Sequence, residues 1–479
     1  MKSLLFGREV SIIARNASYL LGSNWLTSSV RFIYAFCLAR LLGPKLYGLW
    51  SYGISWYMAF LAMTGLGIGA ILTREVGKSR ENGISIVAKT LTLRTLTAIF
   101  ISIVSAALIF FFEDAPEARK ILLIFTIALL GRSVALWTEQ VFVAYEATKY
   151  SLQIQAIFRP LEVVLGLGVL FLGGGILEIA IVHIISWWLQ ALNGIVLTKR
   201  NIVDVQFYYE WNGLKDIFIK GLPIGLGLVI INWMQVGPIV LYRFIADNQN
   251  SLGQLALVLQ AFFIISMIPA AVSTASFPSI SRAVALKSGK DRVFADKMIK
   301  SSFIFGSAFG LIGIAAAPWF VIKIFGFQYT EAGYLLGPAL LIIIPWAIGT
   351  AIWRVLLAKG NFLAPTLCAG IGALVFTSIM PWAVSSMQTA GVIFSLGAGM
   401  GCWALSMILI LSMLGGIDVR HSVLYPSLSF LLALGLFFII EPISRWIALL
   451  TSIGTLLVGI LVSSNLTPGD RAFKPSSLP

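Results

Sequence analysis

The chain is predicted to be an all-α polytopic membrane protein, with about fourteen transmembrane helices in two pseudo-symmetric six-helix lobes plus a C-terminal helix pair. Three observations carry this. Composition is the first: of 479 residues 58% are hydrophobic and only 11% charged, with mean hydropathy +0.93, where soluble domains carry about 25% charged residues. Apolar stretches of about 18 or more residues recur from end to end, without the short alternating segments of a β-barrel. The third is a repeat. Asn24-Trp25 followed by Tyr34 recurs as Asn232-Trp233 followed by Tyr242, 208 positions later, each in the first span of its half. Both halves then start in the same orientation, which implies parallel repeats about an axis along the membrane normal.

The expected spans are 17–41, 46–71, 88–112, 121–143, 150–172, 176–198, 217–245, 253–280, 301–325, 332–358, 362–384, 390–414, 423–440 and 444–463. Each is close to the ~20 residues a helix needs to cross a bilayer. The domains follow: an N-terminal lobe at 1–198, a cytoplasmic linker at 199–216, a C-terminal lobe at 217–414, and two extra helices with a polar, disordered tail at 415–479. In the linker, Phe207, Tyr208, Tyr209 and Trp211 beside charges predict a helix lying in the membrane interface.

Orientation follows from loop charge. With the N-terminus inside, cytoplasmic segments hold about 22 Lys and Arg against about 7 outside, so both termini are expected in the cytoplasm. The clearest signals are Arg74, Lys78 and Arg80, and the run Arg282, Lys287, Lys290, Arg292, Lys297, Lys300. The formal net charge of +14 is therefore topological and does not call for nucleic acid. No cleavable signal peptide is expected, because the first span is polar and lacks a small-residue cleavage site.

Catalytic and metal motifs are missing from the sequence: there is no phosphate-binding loop with G-K-[ST], no HExxH and no CxxC. No cofactor or metal is expected, and the chain reads as a non-enzyme. Cys37, Cys368 and Cys402 fall in apolar spans and read as buried small hydrophobes. The glycine runs 65–69, 306–310 and 397–401 read as close helix packing. His183, alone in its span, reads as a hydrogen-bonded packing residue rather than a catalyst, and His421 falls in a loop.

Charges inside spans remain. Arg31 sits near the middle of the first span, where a cation costs about 2.5–3.5 kcal/mol on insertion scales and so faces a cavity or a partner. Arg132 and Glu139 lie in the fourth span, Arg159 and Glu162 in the fifth, Arg354 in the tenth. Arg159 and Glu162 are three apart on one face and can pair. Arg132 and Arg354 lie near span ends, where long side chains also reach headgroups. Excess positive charge implies an anion, and the arginine fork suits phosphate. Asn24, Ser28, Asn232 and Gln235 on the same faces would suit sugar hydroxyls. Glu139 and Glu162 are the candidates for ion pairing or for coupling to an ion gradient.

The run 38–48 (LARLLGPKLYG) resembles the first inter-helix turn of polysaccharide (Wzx-type) flippases, in the multidrug/oligosaccharidyl-lipid/polysaccharide exporter superfamily. Gly65-Leu66-Gly67 with Leu72-Thr73-Arg74-Glu75, Gly221-Leu222-Pro223, Ile268-Pro269 with 277–282, and Phe325-Gly326 with Tyr329 are similar to that family's later landmarks. The resemblance implies a V-shaped two-lobe transporter of the bacterial inner membrane. It would carry undecaprenyl-diphosphate-linked oligosaccharide between leaflets, with the diphosphate on the arginines, and would work beside polysaccharide polymerase and chain-length proteins. Arg31 matches a cationic first-span position of such flippases. The acid common in their seventh span is replaced here by 232–238 (NWMQVGP). Twelve spans are common for sugar flippases and fourteen for lipid II flippases, so a lipid II flippase stays an alternative, as does a multidrug or cation antiporter. A membrane glycan polymerase is a weaker reading, because the outside loops are short.

Overall fold

A computed structural model describes residues 2–79, 83–246, 248–286, 290–361, 363–414 and 419–465. The polar tail beyond 465, Arg80, Asp247, Lys287 and the side chain of His421 lie outside what is described. The described chain is built from helices. In order they are α1 Lys2–Gly65, α2 Ile68–Lys78, α3 Gly83–Phe112, α4 Pro116–Ala144, α5 Lys149–Phe171, α6 Ile176–Asn201, α7 Trp211–Ile245, α8 Gln249–Ala285, α9 Lys290–Phe325, α10 Thr330–Leu341, α11 Ile343–Ala358, α12 Leu363–Met387, α13 Thr389–Met413, α14 Tyr425–Ile440 and α15 Arg445–Asn465.

Twelve helical stretches among the described residues are long and apolar enough to cross a membrane. The first, Ser18–Lys78, has 61 residues, roughly 90 Å at helical rise against a ~30 Å hydrocarbon core. It is broken at Gly43, whose φ of 70° only glycine adopts freely, immediately before Pro44, which cannot donate back into the helix. It therefore serves as two crossings. With α15 of 21 residues added, the expected spans all have helices. One prediction fails: residues 203–210 form no helix and run irregularly from α6 to α7. The Tyr208 amide donates to Thr92 Oγ1 (2.8 Å), and Lys89 Nζ stands 4.8 Å from the Tyr208 ring. These contacts hold the irregular linker against α3 in place of a helical turn.

The chain divides into two compact units, Met1–Phe244 with Asn248–Gly253, and Ile245–Asp247 with Gln254–Pro479. In the first unit α4 is the most enclosed helix, with two-thirds of its apolar window buried. Its Trp137 and Val141 pack with Leu72, Val76, Val87 and Leu91. The outer face of α3 exposes Phe100, Ile103, Phe110 and Phe111, as a lipid-facing surface requires.

The sequence repeat puts α7 at the head of the second half, but by packing it groups with the first unit. Gly221 and Gly225, one turn apart, let α7 approach the backbone of Leu66: a Cβ on either would fall 2.2 Å and 2.6 Å from Leu66 atoms. Further along, Asn232 Nδ2 donates to Met58 O (3.1 Å) and Arg243 pairs with buried Glu113 (2.8 Å). At the far end a Cβ on Gly253 would fall 1.8 Å from Pro44 O. Gly253→Ala is therefore expected to destabilise the protein by about 1–3 kcal/mol through overpacking against rigid backbone. A lowered thermal midpoint of the purified protein checks this.

In the second unit α9 packs on α10 and α11 through Gly306, Gly310 and Gly313, where added Cβ atoms would meet Ile344, Leu341 and Leu340 at under 3.0 Å. Gly399 on α13 sits equally close to Gly372 O and Phe376 of α12. These contacts agree with the packing role read from the glycine runs. Arg354 lies in this unit, with Nη2 donating to Thr274 Oγ1 (3.1 Å).

Candidate anion site in the first unit

The site forms because four helices each bring polar groups to one level inside an apolar bundle. On α6, His183, Ser186, Trp187 and Gln190 follow i, i+3, i+4, i+7 spacing and so share a stripe. On α5, Gln155, Arg159 and Glu162 share another. Helix α4 supplies Arg132 and Glu139, and α1 supplies Arg31 and Tyr57. These polar groups sit on long, largely apolar helices, so their polar atoms find partners by turning toward one another.

Trp187, 1% exposed, is the centre. Three guanidiniums lie over its ring, Arg159 at 4.0 Å from the centroid, Arg132 at 4.5 Å and Arg31 at 5.8 Å. An indole face attracts cations through its quadrupole, by about 0.5–2 kcal/mol each. Arg159 is held further by Glu162 Oε2 (2.5 Å), Gln190 Oε1 (2.5 Å) and Ser186 Oγ (3.3 Å). Glu162 Oε1 meets His183 Nδ1 at 2.5 Å. Arg132 Nη1 donates to the Tyr57 hydroxyl, which lies 3.0 Å from His183 Nε2. Glu139 accepts from the amides of Gln155 and Gln190. It also lines a cavity of ≈ 640 Å³ together with Gln140, Thr73 and Arg74.

The charges do not balance. Glu162 offsets Arg159, and Glu139 is engaged by amides. Arg132 rests on a neutral phenol and an indole, and Arg31 has no hydrogen bond among the described residues. The Nε–H groups of Arg132 and Arg159 are buried with no hydrogen-bond partner among the described residues. The arrangement is a cationic, donor-rich surface in a low-dielectric setting, suited to an oxyanion.

The structure brings Arg31, Arg132, Arg159, Glu139 and Glu162 together. Arg132 is 6% exposed, so of its two readings the interior one holds: the ring of Trp187 and the Tyr57 hydroxyl keep it from turning outward. His183, read as a hydrogen-bonded packing residue, is hydrogen-bonded to Glu162, Tyr57 and Trp187, at the centre of the network. Asn24 and Ser28 precede Arg31 on the same face of α1, Asn24 exposed and Ser28 half-buried. Asn232 is spent on Met58 O, Gln235 is half-buried on α7, and Arg354 belongs to the second unit. Arg94 was passed over. It is buried on α3, donating to Ser133 O (3.2 Å) and Oγ (2.8 Å), and a cation inside an apolar span was signal enough. The spacing of His183, Ser186, Trp187 and Gln190 could likewise have revealed the α6 stripe.

A family described as "Polysaccharide biosynthesis protein" matches residues 13–284, more than half the chain and all of the arginine cluster. The chain belongs to the polysaccharide biosynthesis protein family. Among solved structures, a lipid II flippase MurJ in an inward closed conformation shares the fold at TM-score 0.73 and 16% identity, over 94% of this chain and 99% of that one. An inward-facing multidrug resistance MATE family transporter of the MOP superfamily matches at 0.64 and 16%, over 82% and 97%. A MOP superfamily transporter from Pyrococcus furiosus matches at 0.56 and 16%, over 84% and 95%. At these identities the likeness is one of fold. No match was found among curated proteins. The flippase-type fold agrees with the resemblance read from the turn 38–48, and this family member is a multi-pass membrane protein of transporter architecture.

Proposed function

We propose that this polysaccharide biosynthesis protein is a flippase for undecaprenyl-diphosphate-linked oligosaccharide repeat units in the bacterial cytoplasmic membrane. The observation that carries the reading is the convergence of Arg31, Arg132 and Arg159 on Trp187 with fewer carboxylates than cations. A diphosphate supplies the missing negative charge, and the adjoining cavity beside Glu139, Gln140 and Thr73 offers hydrogen-bonding groups to a sugar. Arg31, which makes no hydrogen bond among the described residues, keeps its donors free to engage the ligand. Transport follows if inward and outward states bind the head group differently. Loop charge supports cytoplasmic termini, and the glycan product would pass to polymerase and chain-length proteins. A cation antiporter would need carboxylates free to face its substrate, whereas Glu162 is tied to Arg159 and His183. A lipid II flippase shares the diphosphate and differs in the glycan.

Arg31→Ala is expected to abolish surface glycan in cells dependent on this chain, with membrane abundance unchanged. Full export by the variant would remove the anion role. Proteoliposome transport of an oligosaccharide-linked lipid against lipid II separates the two substrates.

A further inference from the structure

His183 does more than pack. Its Nε2 lies 3.1 Å from Trp187 Nε1, and the indole N–H can only donate. Nε2 is therefore the unprotonated acceptor, and Nδ1–H is the donor to Glu162 Oε1 at 2.5 Å. The Tyr57 hydroxyl, 3.0 Å from Nε2, accepts from Arg132 Nη1. The ring is boxed by Trp50, Phe125, Tyr57 and Trp187, with centroids 5.4–6.1 Å away. This neutral imidazole thus sets the orientation of the very indole on which three guanidiniums rest.

A proton arriving at Nε2 would face the indole N–H head-on. The hydroxyl of Tyr57 can accept from a protonated Nε2, but the indole N–H cannot, so Trp187 must move and the arginines stacked on it move with it. The charged groups around His183 set the direction of the coupling. Helix α5 presents Glu162 and Arg159, α4 presents Arg132 and Glu139, and α1 presents Arg31 and Tyr57, while Arg94 on α3 is committed to Ser133. Three cations oppose a fourth. A bound dianion offsets that repulsion.

We infer that His183 is a proton-binding site linked to the arginine cluster, so that binding of a diphosphate-bearing lipid and protonation of Nε2 promote each other. By linkage the coupling is reciprocal: the ligand draws in a proton, and acid tightens the ligand. One proton moves from solvent to Nε2, where it forms an N–H bond, and no bond between heavier atoms changes. His183 acts as a positioning residue through Trp187. The inference rests on the anion reading above and adds the ion that accompanies the anion.

The test uses the full chain in nanodiscs and a farnesyl-diphosphate-linked N-acetylglucosamine, a diester whose phosphates carry no group titrating near neutrality. Titration calorimetry in two buffers of different ionisation enthalpy counts protons taken up. The wild type is expected to bind more tightly as pH falls from 8 to 6, by at most about tenfold per pH unit, with net proton uptake. His183→Gln, an amide that donates to Glu162 and accepts from Trp187 without titrating, is expected to bind with a flat pH profile and no uptake. The same pH slope in His183→Gln and wild type overturns the inference while leaving the anion site standing. Binding by wild type no tighter than by Arg31→Ala at any pH overturns the anion reading and this inference together. A second measurement needs no variant that folds: ¹⁵N shifts of histidine in the wild type. Protonation of His183 in the complex at a pH where the free protein is neutral supports the inference, and an identical state in both overturns it.

Discussion

Glu162→Ala is expected to cost about 3–5 kcal/mol and to deplete folded protein in the membrane. The carboxylate serves three groups at once: Oε2 takes Arg159 Nη1 at 2.5 Å and Ser186 Oγ at 3.2 Å, and Oε1 takes His183 Nδ1 at 2.5 Å. Deletion leaves Arg159 buried at 2% exposure with a missing counter-charge, beside two more guanidiniums over the same ring. Removing one partner of a buried pair costs far more than the pair's net worth, because the survivor stays desolvated and unmatched. Glu162→Gln keeps the shape and an acceptor for Arg159 and is expected to be milder. Thermal unfolding of the detergent-solubilised variants checks both, and a midpoint equal to that of the wild type for Glu162→Ala would sink the account.

Trp187→Ala is expected to be comparably severe, about 3–5 kcal/mol from lost burial alone, with the loss of three cation–π contacts added. The cavity opens in the middle of the cluster, so Arg132 and Arg159 lose the surface that keeps them apart and in place. Trp187→Phe retains an aromatic face for the guanidiniums but removes the N–H that reads His183. It is expected to recover most of the thermal midpoint. Equal losses in the two variants would mean that the ring's role is filling volume alone.

These effects show where the sequence was informative and where it was silent. Arg31, Arg132, Arg159, Glu139 and Glu162 were legible one by one, because a charge in an apolar span is costly wherever it sits. The pairing of Arg159 with Glu162 was also legible, since three residues apart on a helix is a local distance. Tyr57 and His183, by contrast, meet across 126 residues, and Arg132 reaches Tyr57 across 75. Nothing local distinguishes such an interior arginine from one that reaches headgroups. The linker was misread because aromatics beside charges favour an interface whether or not the backbone is helical, and the Tyr208 amide instead donates to Thr92.

Taken alone, the sequence determined that this is a helical membrane protein, where nearly all its spans run, and where the first helix breaks. Length, apolarity and the Gly43-Pro44 pair are local properties, and in lipid every backbone group must be satisfied within its own helix. Only the tertiary structure decided which faces meet. Helices that are apolar nearly all round carry little amphipathic signal to aim them. The approach of α7 to Leu66 through Gly221 and Gly225, and the gathering of three arginines on Trp187, come from side-chain shape and from polar groups finding their few partners. That selection, made between helices distant in sequence, turned separate costly charges into one cationic site.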